Sequence, residues 1–183
     1  MKKILFTTLL LICSVVSFAQ QNNNYSEMNN ELKINMSNLI GFKWLDIGYE
    51  RILNEESAIG FGTLISLDNS TEGLDGYRTF SITPYYRHFF SYKYAQGFFI
   101  EAFTMIHSGE DEEYYYSDFP PYDSDFNEYK YTDLAVGISV GGKWVTERGF
   151  VAEIYVGIGR DMLNNSDLEV VGRGGVSIGY RFQ

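Results

Sequence analysis

Apolar and polar residues alternate with a period of two in eight segments of this 183-residue chain, and this pattern constrains the fold most strongly. Successive side chains of a β-strand point to opposite faces, so the alternation predicts strands with one apolar face and one polar face. Because no segment has a helical period, the sequence predicts an all-β domain over residues 31–183. The predicted strands lie near residues 31–41, 43–53, 56–67, 78–91, 96–107, 129–144, 148–160 and 172–182.

The last of these segments, GGVSIGYRFQ, runs to the end of the chain at Gln183. A strand in this position can pair with the first strand, and an even number of antiparallel strands then closes into a barrel with both termini at one end. One face of this segment is apolar and consists of Val176, Ile178, Tyr180 and Phe182. The other face has small or charged residues, which are Gly175, Ser177, Gly179 and Arg181.

The connections between the predicted strands also follow a pattern. The first is a tight hairpin at residues 40–43, and from there on short turns alternate with longer loops, of which the longest spans 108–128. Short turns at one end and longer loops at the other are typical of outer-membrane barrels. Pro84 lies within the fourth predicted strand, and because proline cannot donate to a ladder, we expect a bulge near it.

Alternation alone does not show which face points outward, and a soluble lipocalin-like barrel would turn its apolar face inward. Three observations favour an apolar face turned toward lipid: the polar face combines glycines with charges of both signs, the strand number is even, and aromatic residues cluster near one edge. The predicted fold is therefore an eight-stranded antiparallel up-and-down transmembrane β-barrel. The aromatic residues are Phe90, Phe98, Trp144, Phe150, Tyr180 and Phe182.

Residues 1–19 have the features of a cleaved secretory signal peptide: Lys2 and Lys3, then an apolar run, then a small-x-small site at 17–19. Residues 20–30 are polar without a period, which predicts a flexible arm. Cleavage would remove the single cysteine, Cys13, so no disulfide is expected, and the loss of two lysines would take the formal charge from −10 to −12. A charge this negative argues against a nucleic-acid partner.

Three motifs carry a resemblance to a known family: LDIGYERIL at 45–53, SAIGFG at 57–62 and the closing IGYRF at 178–182. In their order along the chain they resemble the small eight-stranded outer-membrane barrels of the OmpA/OmpX type, over residues 31–183. The resemblance implies the outer membrane of a Gram-negative bacterium, contact with its lipid, and no settled activity. It also implies that Tyr180 and Phe182 form the signal for the barrel-insertion machinery, although the family usually ends on the aromatic and this chain ends on Gln183.

Charged residues on the polar face form the first candidate site. Arg87 with Glu101, Glu50 or Glu153 could form a buried network, and Arg181 faces the same lumen. Such a network could gate a narrow pore, or it could plug the barrel with ion pairs. Because eight strands leave no open channel, we favour the plug.

The acidic loop at 108–128 is the second candidate site. Asp123, Asp125 and Asn127, followed by Glu128, resemble the start of a calcium loop, but the sequence lacks the glycine and the final glutamate that such loops need. A solvated acidic loop is therefore the simpler interpretation, and no metal site is assigned. The tyrosines in the loop either form a contact surface or extend the barrel wall, and they are Tyr114, Tyr115, Tyr116 and Tyr122.

Catalytic signals are weak. The chain has two histidines, His88 and His107, and His107 is followed by Ser108, which must point to the opposite face of a strand. We expect no enzyme and no cofactor. The predicted function is a structural or surface-interaction role, with an extracellular partner or a cation at the acidic loop. The alternatives are a narrow pore for small solutes, a soluble lipocalin-like ligand-binding barrel and a lipid-modifying enzyme.

Overall fold

The structure is a computed structural model that describes residues 28–67, 78–116, 124–163 and 169–183, with only the backbone described at 110–116 and 124–129. The predicted signal peptide, residues 1–19, lies outside the described residues, as does the predicted arm, 20–30, up to residue 27. Strand pairing begins at Asn30, so the last residue assigned to the arm belongs to the barrel.

Eight antiparallel strands close into a barrel in which each strand pairs with its neighbours in the sequence. The last strand pairs with the first, from Asn30 opposite Phe182 to Asn35 opposite Ser177. The predicted closed, up-and-down, eight-stranded fold is confirmed. The elements are β1 Asn30–Asn35, α1 Met36–Phe42, β2 Trp44–Asn54, β3 Ser57–Ser66, β4 Phe80–Phe89, β5 Gly97–Tyr116, β6 Ser124–Val145, β7 Phe150–Asp161 and β8 Val170–Phe182.

The two ends of the barrel differ. One end, the turn end, holds the short β2–β3, β4–β5 and β6–β7 turns and the last residue, Gln183. The β6–β7 turn is closed by a hydrogen bond from Gly149 N to Thr146 O of 2.8 Å, and Gly149 takes a φ of 84° that favours glycine. The opposite end, which we call the hairpin end, holds α1 and the longer β3–β4, β5–β6 and β7–β8 connections.

The prediction of a strand over 31–41 with a tight hairpin at 40–43 is wrong, because β1 ends at Asn35 and α1 follows. The side chain of Asn35 caps α1 by accepting a hydrogen bond from Asn38 N at 3.2 Å. Ser37 Oγ in α1 accepts a hydrogen bond from Val176 N of β8 at 2.8 Å. A cap and a contact to a distant strand therefore override the local alternation that suggested a strand.

The prediction of one long loop over 108–128 is also wrong. β5 and β6 continue as a two-stranded ribbon until Tyr116 pairs with Ser124. The pairing of β4 with β5 stops at Ser108 and that of β7 with β6 stops at Ala135, so the ribbon continues past the barrel wall. Only residues 117–123 remain as a connection between the two strands, and they lie outside the described residues.

Pro84 does not introduce the bulge expected from its position. Ile82 pairs with Ile106 and Tyr85 pairs with Phe103, so the register between β4 and β5 is the same on both sides of Pro84. On its other side, Pro84 keeps its place opposite Phe61 of β3. The missing donor interrupts the ladder locally, and the pairs on either side hold the register.

The apolar face of every strand points outward. Ile138 is 60% exposed and Val156 is 65% exposed, whereas the residues between such positions point into the barrel. A soluble lipocalin-like arrangement, with the apolar face inside, is therefore wrong. No helix in the described ranges is long and apolar enough to cross a membrane. The six aromatic residues at the turn end all point outward, and they are Phe90, Phe98, Trp144, Phe150, Tyr180 and Phe182.

Candidate functional site

Arg87 of β4 is at the centre of the barrel interior and is fully buried. Its guanidinium group contacts carboxylates from three other strands, at 2.7 Å from Glu101, 2.6 Å from Glu153 and 3.0 Å from Glu50. The same group lies over the ring of Phe99, 3.8 Å from its centroid. Buried charge is tolerated when it is paired and hydrogen-bonded, and Arg87 meets both conditions.

Two lysines extend this cluster across the lumen. Lys33 Nζ of β1 lies 2.8 Å from Glu50 Oε2 and 2.9 Å from Glu153 Oε2. Lys143 Nζ of β6 lies 2.5 Å from Glu50 Oε1 and 3.0 Å from Glu31 Oε2. Glu50 thus joins three cations, because Arg87 also contacts it.

Arg181 of β8 continues the network toward the turn end. Its Nη2 lies 2.6 Å from Glu31 Oε1 and donates to the carbonyl of Ala95 at 2.7 Å, while Nη1 donates to the carbonyl of Tyr94 at 3.2 Å. These carbonyls belong to the β4–β5 connection at the turn end of the barrel. Arg181 therefore ties the plug to the connection at the turn end.

Arg173 of β8 bounds the network on the side of the hairpin end. It donates to Glu101, which places Glu101 between Arg173 and Arg87. The Arg173 guanidinium lies 5.0 Å from the ring centroid of Tyr85 and 5.2 Å from that of Tyr155, within the range of cation–π attraction. Aromatic rings thus fill the lumen around the charges.

Glycines in the wall make room for these rings. A Cβ built on Gly141 of β6 would lie 2.6 Å from Phe99 Cζ and 2.5 Å from the backbone oxygen of Ile154. The absence of a side chain at Gly141 lets the Phe99 ring cross toward Arg87. The charges, rings and glycines together fill the middle of the lumen.

Sequence reasoning found part of this network. The structure brings all five predicted residues into one buried network, and they are Glu50, Arg87, Glu101, Glu153 and Arg181. Four further members were not assigned to the site, although alternation along its own strand places each of them on the polar face. These four are Glu31, Lys33, Lys143 and Arg173.

His107 of β5 points into the lumen near the hairpin end and is fully buried. Its Nε2 lies 2.9 Å from Asp161 Oδ1 of β7, a pair that sequence reasoning missed because the residues are far apart in the chain. Ser108 points to the opposite face, where its hydroxyl bonds Thr132. His88 lies on the outer face against the ring of Phe90, at 4.8 Å between centroids.

The predicted cation-binding residues fall on the ribbon and its connection. Asp123 lies outside the described residues, whereas Asp125, Asn127 and Glu128 lie on β6, with only their backbone described. Within the described side chains, no group of three or more His, Cys, Asp or Glu could hold a metal ion. Cation binding at the acidic residues therefore stays a prediction.

Tyr180 and Phe182, the predicted insertion signal, lie on the outer face of β8 at the turn end. Tyr180 pairs with Leu32 of β1 and with Phe150 of β7, and Phe182 pairs with Asn30. Their recognition by insertion machinery stays a prediction.

The sequence matches no protein-family model, and it matches no curated protein. Two solved structures are similar to the barrel. The N-terminal β-barrel domain of Pseudomonas aeruginosa OprF has a TM-score of 0.52 at 10% identity, covering 85% of this chain and 98% of that one. The outer membrane protein Ail of Yersinia pestis has a TM-score of 0.39 at 16% identity, covering 85% of this chain and 100% of that one. The similarity to OprF confirms the resemblance to small eight-stranded outer-membrane barrels at the level of the fold.

Proposed function

We propose that this protein is an outer-membrane β-barrel with a structural and surface-interaction role, in which a plugged barrel spans the bilayer and supports the β5–β6 ribbon outside it. The observation that carries the proposal is the combination of an apolar outer wall with an interior that holds buried, paired charges. A protein dissolved in water has the reverse arrangement. The chain would reach this membrane by a cleaved signal peptide and the barrel-insertion machinery.

The outer wall supports the membrane assignment. Large apolar side chains point outward on all eight strands, from Leu32 of β1 to Val176 of β8. In hydrocarbon every backbone polar group must be bonded internally, and a closed barrel does this because it has no edge. The outward aromatic residues at the turn end match the position of an interfacial girdle.

The packed lumen favours a plug over the alternative of a narrow pore. A solute crossing the barrel would have to pass Arg87, which contacts Glu50, Glu101 and Glu153 from three strands. Opening a path would separate buried ion pairs, which is costly because each freed charge would lose its partners. We therefore assign the network a structural role and propose no catalytic activity and no cofactor.

The ribbon supports the surface-interaction role. Residues 109–116 of β5 extend past the end of its pairing with β4, which corresponds to about 27 Å of extended strand. The backbone edges of such a ribbon can pair with an added strand, and its sequence EDEEYYY combines negative charge with aromatic rings. The partner we propose is an extracellular protein with an exposed basic strand, and a bound cation at the acidic residues is the alternative.

Epitope tags on the two ends of the barrel test this topology. A tag inserted between Pro120 and Pro121, in the connection of the ribbon, should bind antibody on intact cells of a Gram-negative host. A matched tag between Glu147 and Arg148, in the β6–β7 turn, should bind antibody only after the outer membrane is permeabilised. Labelling of the β6–β7 tag on intact cells, or failure to label the ribbon tag there, would contradict the proposed orientation.

A further inference from the structure

A groove of about 690 Å³, the wall groove, crosses the outer face of the barrel from β2 to β6. Small outward side chains form its floor, and they are Pro84 of β4 with Ala102 and Thr104 of β5. Larger side chains stand on either side, among them Phe61 of β3 and Ile138 of β6. The volume lies within the range of about 300–1,000 Å³ that is typical of sites for small organic molecules.

Arg51 of β2 lies at one edge of the wall groove and is exposed. Its Nη1 donates a hydrogen bond to Asn30 Oδ1 at 2.7 Å, and the hydroxyl of Tyr49 donates to the same oxygen at 2.8 Å. Asn30 is neutral, so this contact positions the guanidinium without balancing its charge. No carboxylate of the described residues forms an ion pair with Arg51. The wall groove therefore has an unbalanced positive charge at its edge.

The position of Arg51 along its strand matches the level of lipid headgroups at the turn end. Arg51 lies three residues before the end of β2 at Asn54, which corresponds to about 10 Å of strand. Asn30 pairs with Arg51 on one side and with Phe182, one of the aromatic residues at the turn end, on the other. A long arginine side chain can reach the interface from this level while its methylene groups stay in hydrocarbon.

The other outward cations of the described strands lie elsewhere. Lys130 belongs to the ribbon, where it pairs with Glu110 across the two strands. Arg160 is near the hairpin end and forms an ion pair with Glu169 at 3.3 Å. Arg51 is thus the outward cation that lies beside the apolar wall groove in the half of the barrel next to the turn end.

We propose that the wall groove binds a glycerophospholipid with a net negative headgroup, of the phosphatidylglycerol type, from the leaflet at the turn end. This inference rests on the proposed membrane-spanning role. The lipid phosphate accepts hydrogen bonds from Arg51, because a guanidinium is a planar fork of donors suited to phosphate. One acyl chain lies over Ala102, between Phe61 and Ile138.

The two parts of the site have separate effects on the bound lipid. An acyl chain gains no hydrophobic free energy when it leaves other lipid for the wall, so the wall groove holds the chain by close packing. Arg51 selects the headgroup. A zwitterionic headgroup would bring an ammonium group close to this guanidinium, whereas a net negative headgroup balances its charge.

Native mass spectrometry of the folded protein released from detergent micelles tests the site. The protein is equilibrated with equal amounts of phosphatidylglycerol and phosphatidylcholine that carry the same acyl chains, so only the headgroups differ. We expect one tightly held lipid per barrel, with phosphatidylglycerol retained about fivefold more often, the effect of about one arginine near a lipid surface. A heat-dependent mobility shift on a gel shows that each variant is folded.

Two pairs of variants separate the headgroup site from the groove. Arg51→Gln should abolish the preference for phosphatidylglycerol, whereas Arg148→Gln, at an exposed position in the β6–β7 turn, should keep it. Ala102→Phe should fill the floor of the wall groove and lower the retention of both lipids at least about fivefold. Ala152→Phe makes the same change on the outer face of β7, away from the groove, and should leave retention unchanged.

Three results would overturn the inference and leave the membrane assignment intact: equal retention of the two lipids by the parent, a preference that persists in Arg51→Gln, or unchanged retention in Ala102→Phe. Failure of the proposed function would look different. A wall that faces water would retain neither lipid, and the folded protein would stay in solution after the detergent is removed.

Discussion

Replacing Arg87 by methionine should lower the free energy of unfolding by about 3–5 kcal/mol, the typical cost of removing one partner from a buried ion pair. The change would leave Glu50, Glu101 and Glu153 close together without the one cation that contacts all three. Methionine roughly keeps the volume, so the loss reports the charge rather than a cavity. A urea titration of the protein in lipid vesicles, followed by tryptophan fluorescence, measures it.

Two further variants make the Arg87 result specific. Arg160→Met removes an exposed ion pair with Glu169 and should change stability by less than about 1 kcal/mol. Adding Glu101→Leu to Arg87→Met should cost less than the sum of the two single changes, because the two side chains contact each other, and such coupling is the signature of a direct pair. An Arg87→Met protein as stable as the parent would show that the network does not hold the barrel together.

Placing a charge on the outer wall should have the second large effect. Ile138 of β6 is 60% exposed and faces away from the lumen, between Ala102 of β5 and Ile158 of β7. If this wall faces hydrocarbon, Ile138→Arg should cost about 2–4 kcal/mol, the range for arginine near the bilayer midplane. The same titration in vesicles measures this cost.

The control for the outer wall separates a lipid-facing from a water-facing surface. Met162 lies just past β7 and is 58% exposed, so Met162→Arg should cost less than about 1 kcal/mol. On a wall facing water, an exposed isoleucine could become arginine with a change of about 0.5 kcal/mol or less. An equally small effect at Ile138 and Met162 would therefore contradict the membrane assignment.

Much of the barrel could be predicted because its dominant signal is local. The alternation of Leu134, Val136, Ile138 and Val140 with Ala135, Gly137 and Ser139 assigns two faces from the sequence alone, and the structure keeps those faces. The same alternation puts Lys33 and Lys143 on the polar face, and it would have added Arg173 beside Arg181. Which cation meets which carboxylate depends on the barrel's closure, and a pattern along one strand carries no such information.

The errors arose where a contact between distant residues decided the local structure. The start of α1 depends on the Asn35 cap and on the hydrogen bond that Ser37 accepts from Val176, which is 139 residues away in the sequence. At the acidic segment, the sequence predicted a loop over 108–128, but cross-strand pairing as far as Tyr116 and Ser124 continues the sheet. The pair of His107 with Asp161 likewise exists only once separate strands come together.

Ion conductance across a planar bilayer tests most directly whether the barrel is a membrane-spanning structure closed by its own charges. Before the measurement, the protein sample should show a heat-dependent mobility shift on a gel, which establishes that it contains folded barrels. We expect no steady channels, because Arg87 and its three carboxylates close the lumen. Steady channels from the parent protein that disappear in Arg87→Ala or Glu101→Ala would contradict the plug and establish a pore through the network.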